Sequence, residues 1–87
     1  MTEEQFQTIF KDTNADWQGD NAFQGLMIIS KYISPAKKTL IVAAGHDIIH
    51  SVYVKDLLEA GLTEEDAVSL RKLNWMITEY DSLACFI

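Results

Sequence analysis

Two histidines and an aspartate within five residues are the densest group of possible metal ligands in the chain. His46, Asp47 and His50 offer imidazole and carboxylate groups, which can hold a divalent ion or relay a proton. A zinc site needs three or four ligands, and the chain has no third histidine. Asp47 also fits a turn whose backbone it hydrogen-bonds, with His50 on the following strand. A small metal-dependent hydrolase using these three residues is therefore an alternative hypothesis.

A second acidic spacing, Asp12-x-Asn14-x-Asp16, begins like a calcium-binding loop. An EF-hand loop requires glycine at its sixth position and glutamate at its twelfth, and these positions hold Trp17 and Phe23. The spacing is therefore that of a solvated turn, and we predict no cofactor.

The loop from Asp12 to Asn21 is a stronger candidate for a protein-binding surface than for a calcium site. Trp17 lies there among acidic and polar residues, outside any apolar stripe. Aromatic residues on loops are frequent anchors in protein interfaces, although Trp17 could instead cover the core as a lid. The binding residues predicted from this loop are Asp12, Asp16, Trp17 and Asp20.

The single cysteine, Cys85, lies in an apolar stretch that alternates like a strand. A nucleophilic cysteine needs a neighbouring base and an electropositive setting, and this stretch offers neither. We predict a buried, inert thiol and no catalytic residue, so a non-enzymatic role is favoured. One cysteine also indicates a reducing cytoplasm, because small secreted domains carry even sets of cysteines.

The chain has thirteen acidic and seven basic residues, for a net charge of −6. Four lysines fall between residues 21 and 55, and both ends are acidic. Nucleic acid is a poor direct partner, because polyanion binding needs clustered Lys and Arg. A basic protein surface is a better partner. An acidic DNA mimic remains an alternative, although the lysines make it a weak imitation of a phosphate array.

With 87 residues, 48% of them hydrophobic, the chain has room for one domain spanning residues 1–87. Its apolar runs are far shorter than the roughly 20 residues that cross a bilayer, so we expect no membrane contact. Its polar start is unlike a signal peptide. These features predict a soluble cytoplasmic protein.

The first half of the chain shows two helix patterns. Thr2-x-x-Gln5 fits a capping box, and the apolar positions that follow predict a short helix ending near Lys11. A second helix should begin at a cap on Asp20 or Asn21 and end before Pro35. It is apolar almost all round, so we expect it to be well buried. Its predicted buried face is Phe23, Leu26, Met27 and Ile33.

The middle of the chain predicts a hairpin and a short helix. The β-branched stretch Thr39–Ala44 is typical of a central strand, and Gly45–Asp47 is a turn signal. Ile48–Tyr53 should pair back on the first strand. A helix of one or two turns then leads to Gly61, which suits a helix C-terminus.

The C-terminal quarter predicts a capped helix and a second hairpin. Thr63 is the expected N-cap, followed by an acidic first turn. An extended segment starts at Trp75, and Leu83–Ile87 forms the last strand. Five consecutive apolar residues would promote aggregation unless that strand were integral to the sheet. The predicted fold is α+β, with about four antiparallel strands and three to four helices in the order α-α-β-β-α-α-β-β.

Two resemblances bear on function. The His46-Asp47 pair is similar to that of metal-dependent phosphohydrolases, which need further ligands from other helices. From His46 onward the chain resembles small uncharacterised proteins of phages and mobile elements, with Asn74 where a helix-ending glycine is expected. This resemblance implies a phage or prophage origin and a role in host takeover or counter-defence. The segments that carry it are His46–Ile49, Leu62–Asp66, Leu70–Trp75 and Ala84–Ile87.

The leading hypothesis is a small non-catalytic binding protein that acts by protein–protein contact. Its partner would be a host or phage protein, such as a defence protein that it inhibits, with a basic surface. A homodimer is also compatible with the sequence, because a second copy could cover an edge strand.

Overall fold

The computed structural model describes residues 1–16 and 19–87, and these form four helices and one sheet of four antiparallel strands. Their order, α-α-β-β-α-α-β-β, confirms the predicted α+β fold. The helices are α1 (Glu3–Asp12), α2 (Asn21–Ser30), α3 (Val54–Glu59) and α4 (Glu64–Lys72). The strands are β1 (Ala43–Gly45), β2 (Ile48–Tyr53), β3 (Trp75–Ile77) and β4 (Ser82–Phe86). Within the described residues, no helix has the length and apolar character needed to cross a bilayer.

Strand β4 lies between β2 and β3, so the order across the sheet is β1-β2-β4-β3. Two sequential hairpins are thus joined side by side through the β2–β4 pair. Ile49 lies opposite Cys85, and Cys85 lies opposite Trp75. The prediction that the last strand is integral to the sheet is confirmed.

The prediction of a central strand at residues 39–44 is wrong. Only Ala43–Gly45 forms a strand, at the edge of the sheet, and all three of its residues are exposed. Leu40 is buried in the core, whereas Ile41 and Val42 are 46% and 58% exposed. The reason is topological, because β4 occupies the central place beside β2 and leaves β1 a partner on one side only.

The predicted buried face of α2 is only partly correct, because Leu26 and Ile33 are half-buried and pack against the core, whereas the other two residues are exposed. Phe23 and Met27 are 61% and 57% exposed, and the helix buries Ala22, Gly25 and Ile29. Trp75 causes this rotation, because its indole lies directly against Gly25 and donates a hydrogen bond of 3.0 Å to the carbonyl of Asn21. The face that carries the glycine must therefore turn toward the sheet.

The predicted helix caps are confirmed. In α1, the Thr2 hydroxyl accepts from the Gln5 backbone and the Gln5 side chain accepts from the Thr2 backbone, which completes the capping box. Asp20 caps α2 and Thr63 caps α4, each accepting from the backbone N–H three residues later. Such caps typically stabilise a helix by about 1 kcal/mol each.

Asn74 and the β1–β2 turn adopt left-handed backbone conformations. Asn74 follows α4 with φ of 66°, so asparagine takes the place of the expected glycine. His46 and Asp47 have φ of 54° and 64° and form a two-residue hairpin turn in which both residues are left-handed. His, Asp and Asn are the non-glycine residues best suited to this region.

An ion pair and a hydrogen bond fasten the end of α2 to the start of α4. Lys31 Nζ lies 2.8 Å from Asp66 Oδ2, and the Tyr32 hydroxyl donates to the same carboxylate. Partial burial of Asp66 acts to raise its pKa. The hydrogen bonds from Lys31 and Tyr32 outweigh burial, so the pKa of Asp66 lies below its ordinary value.

A lowered pKa makes the contribution of Asp66 depend on pH. Its stabilising contribution is present above the pKa of the unfolded chain and is lost as pH falls through the lower folded pKa. We therefore expect wild type to be more stable than Asp66→Asn at neutral pH. The difference should shrink in urea unfolding series as pH falls below about 4, the ordinary pKa of an aspartate. Glu65→Gln, at an exposed neighbouring position, is the control. A difference independent of pH would contradict the assignment.

Candidate functional site

The three predicted metal ligands are placed by the first hairpin. His46 and Asp47 are the two residues of its turn, and His50 lies in β2 opposite Ala43 and Ala84. Across residues 1–16 and 19–87, no three His, Cys, Asp or Glu side chains are grouped so that they could hold a metal ion. The turn geometry accounts for His46 and Asp47 without a ligand, so the hydrolase alternative gains no support here.

The predicted acidic loop has clear structural contacts. Asp12 is the last residue of α1, and the backbone N–H of Asp16 donates to the carbonyl of Lys72 at 2.8 Å. The Asp20 carboxylate accepts from the Phe23 backbone at 3.0 Å as the α2 cap. Trp17 lies outside the described residues, so its role as an anchor stays a prediction. The contacts seen fasten the loop to α2 and α4.

Cys85 is fully buried in the middle of the sheet, as predicted. Burial raises the pKa of its thiol to about 11, and the negative charge of Asp20 acts in the same direction. The thiol donates to the neighbouring Phe86 carbonyl at 3.3 Å. A thiol with these surroundings stays protonated at neutral pH and is a poor nucleophile.

The two faces of the sheet have different surroundings. Ile49, Cys85 and Trp75 form one cross-strand row that packs in the core with the helices. Because strand side chains alternate, the neighbouring positions point away from the helices. We call these residues the outer face: Ile48, His50, Met76, Ala84 and Phe86.

The outer face is uncharged and separate from the core. Ile48 lies opposite Phe86, and Ala84 lies between His50 and Met76. Ala84, at its centre, is 1% exposed, whereas in the described structure Ile48, Met76 and Phe86 neither belong to the core cluster nor pack against it. Ile48, His50 and Met76 are half-buried, and Phe86 is 45% exposed.

Such a surface is unusual for an antiparallel sheet. When helices cover one face, the other normally carries polar residues in alternation with the buried ones. Ile48 and Phe86 instead place large apolar groups where polar ones are expected. Ile41 and Val42, which precede β1, are also exposed. Contiguous exposed apolar surface is characteristic of sites of contact with other molecules.

A second apolar surface lies on the helical side of the molecule. Met27, Ile28 and Leu73 line an open groove of about 510 Å³ between α2 and α4, beside the exposed ring of Phe23. Lys31 and Lys72 also line it, and Lys31 is already paired with Asp66. Substitutions on this surface serve as controls for substitutions on the outer face.

The outer face does not follow from single residues, although the sequence carries a signal for it. Ile48-Ile49 and Leu83–Ile87 are apolar at consecutive positions instead of alternating with polar residues. A strand with this pattern has both faces covered or in contact. Neither the register nor the face that packs in the core could be read from that pattern.

No family model, no curated protein and no solved structure matches this chain.

Proposed function

We propose that the chain is a non-catalytic binding protein that modulates another protein by direct contact through its outer face. The observation that carries this proposal is the uncharged sheet surface formed by Ile48, Met76 and Phe86, which do not belong to the core cluster of the described residues. Burying apolar surface is the main favourable term in protein association, at about 25 cal/mol per Å² removed from water. Rigid strands present such a surface with little ordering cost.

The net charge of −6 supports a basic partner. Opposite net charges attract over long distances and speed association, whereas two copies of this chain repel each other. A homodimer that paired the outer faces of two copies would have to overcome that repulsion. We therefore commit to a different protein with a basic surface as the partner.

The resemblance of residues 46–87 to small phage and mobile-element proteins supports a host or phage protein as that partner. The unpaired thiol of Cys85 is consistent with action in the cytoplasm, where thiols stay reduced. Inhibition follows if the outer face covers a surface that the partner needs for its own work.

The test first captures the partner from the native host. The purified partner is then used to measure the affinity of variants with substitutions on three surfaces. Phe86→Lys places a positive charge on the outer face, and Met27→Lys makes the same charge change on α2. We expect Phe86→Lys to weaken binding at least about tenfold, which corresponds to the loss of one interface anchor. Met27→Lys should change binding by less than about twofold.

Three outcomes would overturn the proposal. A DNA mimic would bind through carboxylates, so Glu64→Gln with Glu65→Gln would abolish binding while Phe86→Lys would not. Self-association would appear in light scattering as a dimer that Phe86→Lys converts to a monomer. Loss of binding with Met27→Lys alone would instead assign the contact to α2.

A further inference from the structure

Helix α2 leaves two large apolar side chains exposed, Phe23 at 61% and Met27 at 57%. They lie four residues apart and therefore share one face of the helix. The exposed face of a helix normally carries charged and polar residues, whereas a helix that is apolar on all sides is normally covered on all sides. The part of α2 that does not pack in the core is therefore a candidate contact surface.

The groove between α2 and α4 is built from one stripe of residues on each helix. From α2 and its C-cap, the lining residues are Gln24, Met27, Ile28 and Lys31, with the i, i+3, i+4 and i+7 spacing of one helix face. From α4 and its C-cap they are Ser69, Lys72 and Leu73. The stripe on α2 is about 10 Å long, or roughly two helical turns. A groove between two helices is the place where the side chains of a third helix can pack.

The two helices run in opposite directions, so a lysine lies at each end of the groove. Lys31, just after α2, pairs with Asp66 in the first turn of α4. Trp75, just after α4, donates a hydrogen bond to the carbonyl of Asn21 at the start of α2. Lys72 in the last turn of α4 therefore lies at the opposite end of the groove from Lys31.

The charged residues that line the groove are both lysines. Lys72 is exposed and forms no ion pair within residues 1–16 and 19–87. The side chain of Lys31 stays 56% exposed beside Asp66, and its ammonium group has further N–H donors for a second carboxylate. At physiological ionic strength, exposed charges farther away than about 8 Å are largely screened. The groove therefore favours a ligand with negative charge, although the chain as a whole is acidic.

We propose that this groove binds an amphipathic helix that carries acidic residues beside its apolar stripe. The apolar side chains of that helix pack against Met27, Ile28 and Leu73. Its carboxylates face Lys31 and Lys72. A second copy of this chain is a poorer occupant, because two grooves placed face to face would bring like charges together. An acidic helix differs from the basic partner proposed for the outer face, so this inference does not depend on that proposal.

The test is a titration of the intact protein with three designed peptides, followed by amide chemical shifts. The first is a capped peptide of about 20 residues with leucine at i, i+3, i+4 and i+7 and glutamate beside this stripe at both ends. The second has lysine in place of each glutamate. The third has the composition of the first in scrambled order.

We expect the glutamate peptide to give saturable shifts at residues 24–31 and 69–73, with a Kd of about 100 μM or below. The lysine peptide and the scrambled peptide should bind at least about tenfold more weakly. The net charge of −6 by itself would favour the lysine peptide. The order of affinities therefore separates binding in the groove from general electrostatic attraction.

Two variants separate the apolar from the charged contribution, and both change exposed side chains. Met27→Gln removes an apolar contact and should weaken binding of the glutamate peptide about tenfold. Lys72→Glu should weaken binding of the glutamate peptide about threefold to tenfold and strengthen binding of the lysine peptide by a similar factor. Phe86→Gln, on the outer face, is the control and should change neither affinity.

The proposal is overturned if the lysine peptide or the scrambled peptide binds as tightly as the glutamate peptide. It is also overturned if the glutamate peptide gives no saturable shifts up to about 1 mM. Shifts centred on Ile48, Met76 and Phe86 would assign the peptide to the outer face instead. A dimer in light scattering that Met27→Gln converts to a monomer would make a second copy of the chain the occupant.

Discussion

Replacing Gly25 with alanine should destabilise the protein by about 3 kcal/mol or more, although alanine favours a helix. A Cβ added at Gly25 would lie 1.8 Å from Trp75 Nε1 and 2.3 Å from Trp75 Cε2. Real side chains never approach so closely, so the ring or the helix must move. The ring is fully buried and held by its hydrogen bond to Asn21, so it has no free space to enter.

Urea unfolding measures this loss, and the chain offers a matched control. Gly45→Ala is the same substitution at a position where the added Cβ meets no atom within 4 Å. It should change the free energy of unfolding by less than about 1 kcal/mol. Combining Gly25→Ala with Trp75→Phe should be less damaging than the sum of the two single changes, because the smaller ring relieves the collision. A Gly25→Ala protein as stable as wild type would refute the packing described.

Cys85 should react with iodoacetamide at least about a hundredfold more slowly in the folded protein than in the unfolded chain. The thiol pKa of about 11, against an ordinary 9.0, alone lowers the thiolate fraction by about that factor. Burial between Ile49 and Trp75 adds a second barrier, because the reagent reaches the sulfur only when the sheet opens. Mass spectrometry of timed samples gives the rate.

This labelling rate also reports stability. When opening is fast compared with alkylation, the rate follows the equilibrium population of open molecules. Gly25→Ala should therefore accelerate labelling about a hundredfold, in step with a loss of about 3 kcal/mol. Thr8→Cys in a Cys85→Ala background places a thiol at an exposed position. This thiol should react equally fast with and without Gly25→Ala. Rapid labelling of Cys85 in stable wild type would show a local route to the thiol.

Local signals in the sequence predicted the elements but not their orientation. Thr2, Asp20 and Thr63 cap helices because a cap needs only residues three positions apart. The face of α2 depends instead on Trp75, which is 50 residues away from Gly25 in the sequence. A helix apolar on most sides gives no internal signal to choose among its faces.

Strand order and the outer face could not be predicted from the sequence for a related reason. Residues 39–44 have the composition of a central strand, but position in a sheet is decided by which strands pair. The outer face depends on the registers of three strands, so it does not follow from spacing along the chain. His46, Asp47 and Asp20 carry groups capable of binding a ligand, but their positions in the structure are explained by a turn and a helix cap.

The central position of β4 has a consequence for synthesis of the chain. Ribosomes release residues in sequence order, so β2 emerges about 30 residues before the strand that pairs with its inner edge. Until residues 82–86 are available, β2 has β1 on one side only and β3 has no partner. Nascent chains at that stage present open strand edges with apolar side chains, a form prone to association. The sheet is therefore completed only when β4 pairs with both β2 and β3.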